Sequence, residues 1–228
     1  MLASNSNTPN LIIAVDGTAA SGKGTISERL AQYYGLSYMD TGVLYRAVGL
    51  ICVKEFGDAE EEHLAIEAAQ KMALSYPECL EGLDLKSDEA SNAASKVAKI
   101  GEVRQILFDT QRNFGLKAPK GAVIDGRDIG TVIFPEAPIK LFFDADLDVR
   151  VERRFKDLIK RKPSLQYDEV YADMKARDER DRNREVAPLI PAQDAIHIDN
   201  SKMSIDEVFD YVLSKIDTSV KSLKSKQG

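Results

Sequence analysis

Cysteine is scarce in this sequence of 228 residues: only Cys52 and Cys79 are present, and no C-x-x-C spacing joins them. A disulfide framework and a structural zinc site are therefore excluded, and both residues fit free thiols in a reducing compartment. No apolar run reaches the roughly 18–20 residues that a membrane span requires. The first residues, "MLASNSNTPN", lack a basic stretch followed by an apolar one, so we expect no secretory signal and a cytoplasmic protein.

An excess of positive charge is also missing. The formal net charge is −6, which argues against a general nucleic-acid binder, although a local basic patch could still bind a small anion. Histidine is rare too: His63 lies in an acidic helical segment, and His197 lies in a predicted strand. Neither has a neighbouring partner suited to general-base catalysis, so we expect both histidines to be structural.

What the chain does contain is an alternation of short apolar runs with helical patterns. This alternation predicts an α/β protein in which helices cover both faces of a parallel sheet. Five strands are predicted: Leu11–Val15, Leu36–Met39, Ala122–Ile124, Ile139–Phe143 and Ala195–Ile198. No repeat or long linker divides the chain, so we expect one domain over residues 10–218, with flexible tails at 1–9 and 219–228.

The helical patterns lie between these apolar runs. Four are predicted: Gly24–Tyr34, Gly42–Phe56, Glu89–Phe114 with a break near Gly101, and Asp146–Lys160. A fifth follows a capping box formed by Ser204 and Glu207, after which apolar residues recur at helical spacing up to Ile216. The apolar stripe predicts that this last helix packs on the core.

The first predicted strand runs into the stretch "GTAASGKGT", which fits the pattern G-x-x-x-x-G-K-[ST] with one extra glycine before the threonine. Small residues let backbone N–H groups approach a polyphosphate, and the following helix adds the positive end of its dipole. Lys23 supplies a mobile positive charge, and the Thr25 hydroxyl suits a bound Mg²⁺. The predicted phosphate-binding residues are Gly17, Thr18, Ala19, Ala20, Ser21, Gly22, Lys23, Gly24 and Thr25.

Arginines occur in three further motifs, and their planar guanidinium groups suit bidentate phosphate binding. Arg46 lies in "DTGVLYR", and Arg127 lies in "DGRD" directly after a predicted strand. In "RDERDRNR", a helix would align Arg177, Asp181 and Arg184 on one face. Without a ligand, the same motifs would be solvated charged helices and an ordinary turn. Beside the glycine-rich loop they predict a second phosphate site, because transfer between two anions requires both to be neutralised and held in line.

Five motifs together resemble the bacterial cytidylate kinases, a family of nucleoside monophosphate kinases. They are "DGTAASGKGT", "DTGVLYR", "SNAASKVAKIGEVR", "DGRDIGTVIFPEA" and "RDERDRNREVAPLIPA", and the similarity runs from about Leu11 to about Ile216. The resemblance implies a three-layer P-loop kinase fold, with a small monophosphate-binding lobe at about residues 41–114 and a short lid at about 152–177. It implies transfer of the γ-phosphoryl group of ATP, with Mg²⁺, to CMP and also to dCMP. Because no long apolar surface stripe demands a partner, we expect a monomer, and the charge and the short apolar runs predict that it binds neither nucleic acid nor membrane.

The resemblance also implies roles for residues at matching positions. Those that would read the cytosine edge are Ser95, Arg104 and Asp128. The ribose hydroxyls would be bound by Asp181, and the monophosphate would be held by Arg46, Arg127, Arg184 and Thr41. The lid residues that would close over ATP are Arg153, Arg154 and Arg177. The cations that would share the developing charge with Mg²⁺ are Lys23, Arg46, Arg127 and Arg184.

One segment departs from the family pattern. The family often has a small antiparallel sheet between Leu74 and Ser95, and the interval here is too short for three full strands. We therefore expect a reduced lobe, with one short strand around Leu83–Leu85.

Several alternatives remain open at the level of sequence. No guanine-reading N-K-x-D motif is present, so ATP is the expected donor, but the acceptor could be UMP, AMP or shikimate instead of CMP. A regulatory P-loop module without small-molecule chemistry is a further alternative. Asp181 could read either the 2′- or the 3′-hydroxyl. Asp16 and Asp125 both end strands near the loop, so either could support the metal, and Asp125 is also a candidate for the substrate site.

Overall fold

The computed structural model describes residues 11–57, 59 and 61–225. Its centre is a five-stranded sheet in the order β2-β3-β1-β4-β5, and every pairing is parallel. The strands are β1 (Ile12–Gly17), β2 (Ser37–Asp40), β3 (Ala122–Asp125), β4 (Ile139–Asp144) and β5 (Ile196–Asp199). All five predicted strands, and their parallel arrangement, are confirmed.

The residues of β1 explain its central position. All six are buried, and alternate side chains point to opposite faces of the sheet. Ile13 and Val15 pack with the helices of one face, whereas Ile12 and Ala14 belong to a second cluster on the other face. A strand covered on both sides must be apolar throughout, as in other parallel sheets between helices.

The helices lie on both faces of this sheet, and the predicted helical patterns are confirmed. The helices are α1 (Lys23–Tyr34), α2 (Gly42–Phe56), α3 (Glu62–Leu74), α4 (Asp88–Val97), α5 (Gly101–Lys117), α6 (Leu147–Leu158), α7 (Tyr167–Asn183) and α8 (Ile205–Ser225). Helices α1 and α8 cover one face, and α5 covers the other together with a short π-helix, Ile129–Ile133. The predicted break near Gly101 separates α4 from α5.

Two further apolar clusters lie outside the sheet core. One joins α2, α3, α4 and α5 through side chains such as Leu44, Val48, Met72 and Leu107. The other lies between α6 and α7 and includes Val151 and Met174. The helices that follow β2 and β4 thus have small cores of their own.

Two expectations on local structure are wrong. No strand forms around Leu83–Leu85, because the segment before α4 consists of a 3₁₀-helix, Glu78–Leu80, followed by turns, and Gly82 has a φ of 74°. The leucines instead pack on the cluster of α2–α5. The tail predicted at 219–228 is helical as far as Ser225, while the tail at 1–9 lies outside the described residues.

The end of α8 is ordered because it continues the apolar stripe onto the core. Val220 is fully buried beside α1, and Lys224 Nζ donates a hydrogen bond to the Tyr34 carbonyl. Among the described residues, no helix is long and apolar enough to cross a membrane.

Val220→Ala tests this packing. The substitution should lower the free energy of unfolding by about 1–3 kcal/mol, because it removes buried methyl groups and leaves a cavity. The control is Ser219→Ala, which alters an exposed position on the same turn. Equal unfolding midpoints in urea for the two variants would contradict the docked helix end.

Candidate active site

The carboxyl ends of the strands open onto a cleft of about 850 Å³. Ligands of open α/β sheets bind at this edge, outside the strand ends. Nearly all of the predicted site residues line it: Ala19, Ala20, Ser21, Gly22, Lys23, Gly24, Thr25, Thr41, Arg46, Ser95, Arg104, Asp125, Arg127, Asp128, Arg153, Arg154, Arg177, Asp181 and Arg184. The structure therefore brings the glycine-rich loop and the three arginine motifs into one cavity.

The glycine-rich loop connects β1 to α1 by a tight path over β4. A Cβ on Gly17 would lie 2.1 Å from the Phe143 carbonyl oxygen, so only glycine fits at the start of the loop. Gly22 has a φ of 81° directly before α1. Thr18 lies beneath the loop, where its hydroxyl donates to Asp144 Oδ1 at 2.9 Å. The first N–H groups of α1, which have no intrahelical acceptor, thus face the cleft.

Lys23 lies at the floor of the cleft beside a strand-end carboxylate. Its Nζ is 3.1 Å from Asp125 Oδ1, and its side chain is 13% exposed. Burial lowers the pKa of Lys23, and the charge of Arg127 lowers it further, although Asp125 opposes both effects. A bound anion would relieve these effects, since it adds negative charge beside the ammonium group.

Asp125, and not Asp16, is the strand-end acid that faces the cleft. Its second oxygen lies close to the extra glycine of the loop: a Cβ on Gly24 would be 3.2 Å from it, a tight contact that Asp125 would have to relieve by moving. Asp16 is buried, and its two oxygens accept hydrogen bonds from the N–H groups of Ile129 and Gly130 at 2.7 and 2.8 Å. Asp16 therefore anchors the loop that carries Arg127, and it is not among the residues that line the cleft.

Each arginine predicted to bind phosphate has a nearby carboxylate or carbonyl partner. Arg46 Nη2 lies 2.6 Å from Asp40 Oδ2, and Arg127 Nε lies 3.0 Å from Asp181 Oδ2. Arg184 Nε donates to the Ala187 carbonyl. The two acids and the carbonyl fix the orientation of the three guanidinium groups.

Three guanidinium nitrogens at the cleft are buried but make no hydrogen bond to any described residue: Arg46 Nε, Arg177 Nε and Arg184 Nη2. A buried donor without an acceptor costs free energy, more so when it is charged. Burial and, after it, the neighbouring charge of Arg127 lower the pKa of Arg177 to about 10. An anion with several oxygens would supply the missing acceptors and offset the repulsion between the two arginines.

The residues predicted to read a base form a second group deeper in the cleft. Arg104 donates a hydrogen bond to Asp128 Oδ2, and its guanidinium carbon lies 5.4 Å from the centroid of the Tyr45 ring. Ser95 is near them on α4, but its hydroxyl accepts a hydrogen bond from Arg180 Nε at 3.0 Å. Tyr45 and Arg180 are members of the site that the sequence reasoning did not single out.

The remaining predicted residues make hydrogen bonds to other groups of the protein. Thr41 lines the cleft, but its hydroxyl donates to the Asp125 carbonyl at 2.8 Å, so its single hydrogen is already used. Arg153 donates to Asn200, which in turn donates to the Ser21 carbonyl of the loop. Arg154 reaches across the cleft to Asp88 at the start of α4. Asn200 is thus another residue that the sequence did not reveal.

A parallel sheet, a P-loop at the carboxyl end of its central strand, and arginines opposed to that loop define a P-loop kinase. The chain belongs to the cytidylate kinase family, because the family model described as "Cytidylate kinase" matches residues 13–218.

Sequence relatives agree with this assignment. A cytidylate kinase of Paramagnetospirillum magneticum is 50% identical over 200 residues, covering 87% of this chain and 93% of that protein. One from Azorhizobium caulinodans is 46% identical over 207 residues, covering 91% and 98%. The crystal structure of an uncharacterized protein from Eubacterium ventriosum aligns with a TM-score of 0.54 at 17% identity over 92% of this chain and 99% of that one, which supports the fold alone.

The buried position of Asp16 predicts a pH effect on stability. Burial raises the pKa of Asp16 to about 7, while its usual value is 3.8. Because the folded protein keeps this proton up to about pH 7 and the unfolded chain loses it near pH 4, the free energy of unfolding should fall between these pH values, by up to ~1.4 kcal/mol per pH unit. Asp16→Asn should reduce the fall, measured by urea unfolding at pH 5 and pH 8. An unchanged difference between the two pH values would contradict the assignment.

Proposed function

We propose that this protein transfers the γ-phosphoryl group of ATP to the 5′-phosphate of CMP, and also of dCMP. The observation that carries the proposal is the convergence of a P-loop with buried, unsatisfied guanidinium nitrogens of Arg46, Arg177 and Arg184 in one cleft. Such a cleft can hold two polyanions and neutralise both, which is what phosphoryl transfer between them requires. Membership of the cytidylate kinase family supports cytosine as the base.

ATP occupies the P-loop side of the cleft in this proposal. The N–H groups at the start of α1 and the Lys23 ammonium group bind the β- and γ-phosphates. Arg153, held beside the loop by Asn200, contributes a further positive charge. Arg154 and Arg177 belong to the same lid, which comprises about residues 152–177 and has its own small apolar core between α6 and α7.

Mg²⁺ fits the oxygen groups beside Lys23. The Thr25 hydroxyl is exposed at the cleft, and the Asp125 carboxylate is next to it across Gly24, so the two supply the hard oxygen ligands that this ion prefers. When bound, Mg²⁺ neutralises phosphate charge and orients the phosphate oxygens.

CMP occupies the opposite side. Arg46, Arg127 and Arg184 hold its phosphate, and the partner acids of Arg46 and Arg127 fix the guanidinium groups in advance. Asp181, which accepts from Arg127, also accepts from the ribose hydroxyls. Thr41, which also lines the cleft, helps to hold the monophosphate, and Ser95, Arg104 and Asp128 give the base its contacts. A carboxylate and a guanidinium group complement the amine donor and the acceptors of cytosine.

The chemistry needs no protein nucleophile, because the phosphate oxygen of CMP is already anionic near pH 7. Lys23, Arg46, Arg127 and Arg184 stabilise the charge that develops on the transferred group. The lobe at about residues 41–114 and the lid close over both nucleotides and exclude water, which suppresses ATP hydrolysis. The separate apolar clusters of α2–α5 and α6–α7 support such movement as units.

The protein acts in this proposal as a cytoplasmic monomer whose partners are the two nucleotides. Its single kinase domain spans residues 10–218, with α8 extending beyond that boundary. The net charge of −6 supports the absence of a nucleic-acid partner.

ADP release measured with CMP, dCMP, UMP, AMP, shikimate and no acceptor tests the proposal. Release should depend on an added acceptor and be fastest with CMP or dCMP. Faster release with another acceptor would reassign the substrate, and release indifferent to all of them would instead indicate a regulatory P-loop module.

Asp128→Ala tests the base site. Loss of the carboxylate should raise the KM for CMP and lower kcat/KM by about 100-fold or more, since a buried polar contact to the base is lost and Arg104 loses its partner. The dissociation constant for ATP should change by less than about threefold. Arg29→Ala, which removes an ion pair with Asp206, is the control, because neither residue lines the cleft. Equal losses for both nucleotides would place the base pocket elsewhere.

A further inference from the structure

A buried ion pair links the P-loop to α7 behind the cleft. Arg150 on α6 is 2% exposed, and Asp178 on α7 is 5% exposed. Arg150 Nη1 and Nη2 donate to Asp178 Oδ1 and Oδ2 at 3.2 and 2.6 Å, a bidentate contact. Neither residue is among those that line the cleft.

The same arginine holds the backbone of the P-loop. Arg150 Nη1 also donates to the Ala19 carbonyl oxygen at 3.2 Å, and Nε donates to the Ala145 carbonyl at 2.8 Å. Ala20, the next residue in the loop, has a positive φ of 57°, which is unfavourable for a residue with a side chain. The hydrogen bond to the Ala19 carbonyl therefore holds the loop directly beside Ala20, whose backbone conformation is unfavourable.

Asp178 sits between residues assigned above to the two nucleotides. Arg177 precedes it, and Asp181 follows it by three positions on the same helix, yet both line the cleft while Asp178 faces away from it. One guanidinium group thus connects the loop that binds ATP phosphates with the helix that carries contacts for the monophosphate.

Stability alone does not require this arrangement. Burying two charges has a large desolvation cost, and well-packed apolar residues in place of a buried ion pair are often as stable or more stable. What apolar residues cannot do is hold the Ala19 carbonyl and the Asp178 side chain in one fixed geometry.

We propose that Arg150 and Asp178 are positioning residues that set the distance between the P-loop and α7, and hence between the donor and acceptor phosphates. The inference rests on the proposed function, because it assumes that ATP binds the loop and the monophosphate binds the arginines. Misplacement by even about 1 Å is enough to slow an in-line transfer about 100-fold, although each nucleotide still binds.

The test uses two variants. The double variant Arg150→Met with Asp178→Leu replaces the ion pair with apolar side chains of similar size, and the single variant Asp178→Asn removes only the negative charge. We expect kcat with CMP to fall at least tenfold in the double variant and less in Asp178→Asn. The dissociation constants for ATP and for CMP, each measured alone by calorimetry, should change less than about threefold. A merely structural role would not produce this separation of turnover from binding.

Ile216→Ala is the control for lost stability. Ile216 is buried in α8 away from the cleft, so this variant should lower the melting temperature without changing kcat at a temperature where it is fully folded. If the double variant does not fold, Asp178→Asn decides: a kcat more than twofold below the wild type with unchanged dissociation constants supports the inference, and a kcat within twofold overturns it.

A double variant with kcat within twofold of the wild type would overturn the inference. So would a variant whose only defect is weaker ATP binding, with kcat restored at saturation. Failure of the proposed function would look different, because the wild-type protein itself would then release no ADP in response to CMP.

Discussion

The structure depends on keeping many positive charges close together in one partly buried cleft. Burial removes the solvation that a cation has in water, and neighbouring cations repel each other, so such a cluster is unfavourable by itself. The fold opposes this with acids at or beside the carboxyl ends of parallel strands. Asp40 and Asp125 end β2 and β3, where they lie next to Arg46 and Lys23. The strand ends of the sheet therefore fix the positions of the carboxylates with which these two cations pair.

These internal pairs also explain how the site can be both stable and reactive. A carboxylate partner orients Lys23, Arg46 and Arg127, but it occupies only part of the hydrogen-bonding capacity of a guanidinium group. The nitrogens left over on Arg46, Arg177 and Arg184 are buried and need an acceptor. In the proposed complex, phosphate oxygens accept hydrogen bonds from these nitrogens, and the ion pairs with the acids remain. The Arg127–Asp181 pair differs, because both of its members would also bind the nucleotide.

Much of the fold and many site residues could be predicted from sequence, because their signals are local. The strand β1, the P-loop and the helix after it are adjacent in the chain, and their residue types follow from close backbone approach and phosphate charge. The arginines of the cleft could also be recognised locally, because each lies in a short motif. The wrong strand at Leu83–Leu85 came from the small sheet that the family often has in this segment. Here both leucines pack on a neighbouring helix cluster, which no short sequence window reveals.

The partners that hold the site in place could not be predicted, because they come from distant parts of the chain. Asn200 reaches the loop carbonyl of Ser21 across 179 positions, and Arg180 reaches Ser95 across 85. Asp178 could be taken for one more charge on a solvated helix until its contact with Arg150 is seen. Sequence motifs therefore indicate which groups line the cleft, whereas the groups that orient them require the three-dimensional structure.

The most direct test of this account is a crystal structure with CMP and a non-hydrolysable ATP analogue bound together. The account predicts that Arg46, Arg127, Arg177 and Arg184 contact phosphate oxygens between the two nucleotides, with the γ-phosphate of the analogue beside Lys23. A structure in which the CMP phosphate lies outside this cluster, while Arg46 Nε, Arg177 Nε and Arg184 Nη2 still have no acceptor, would contradict it.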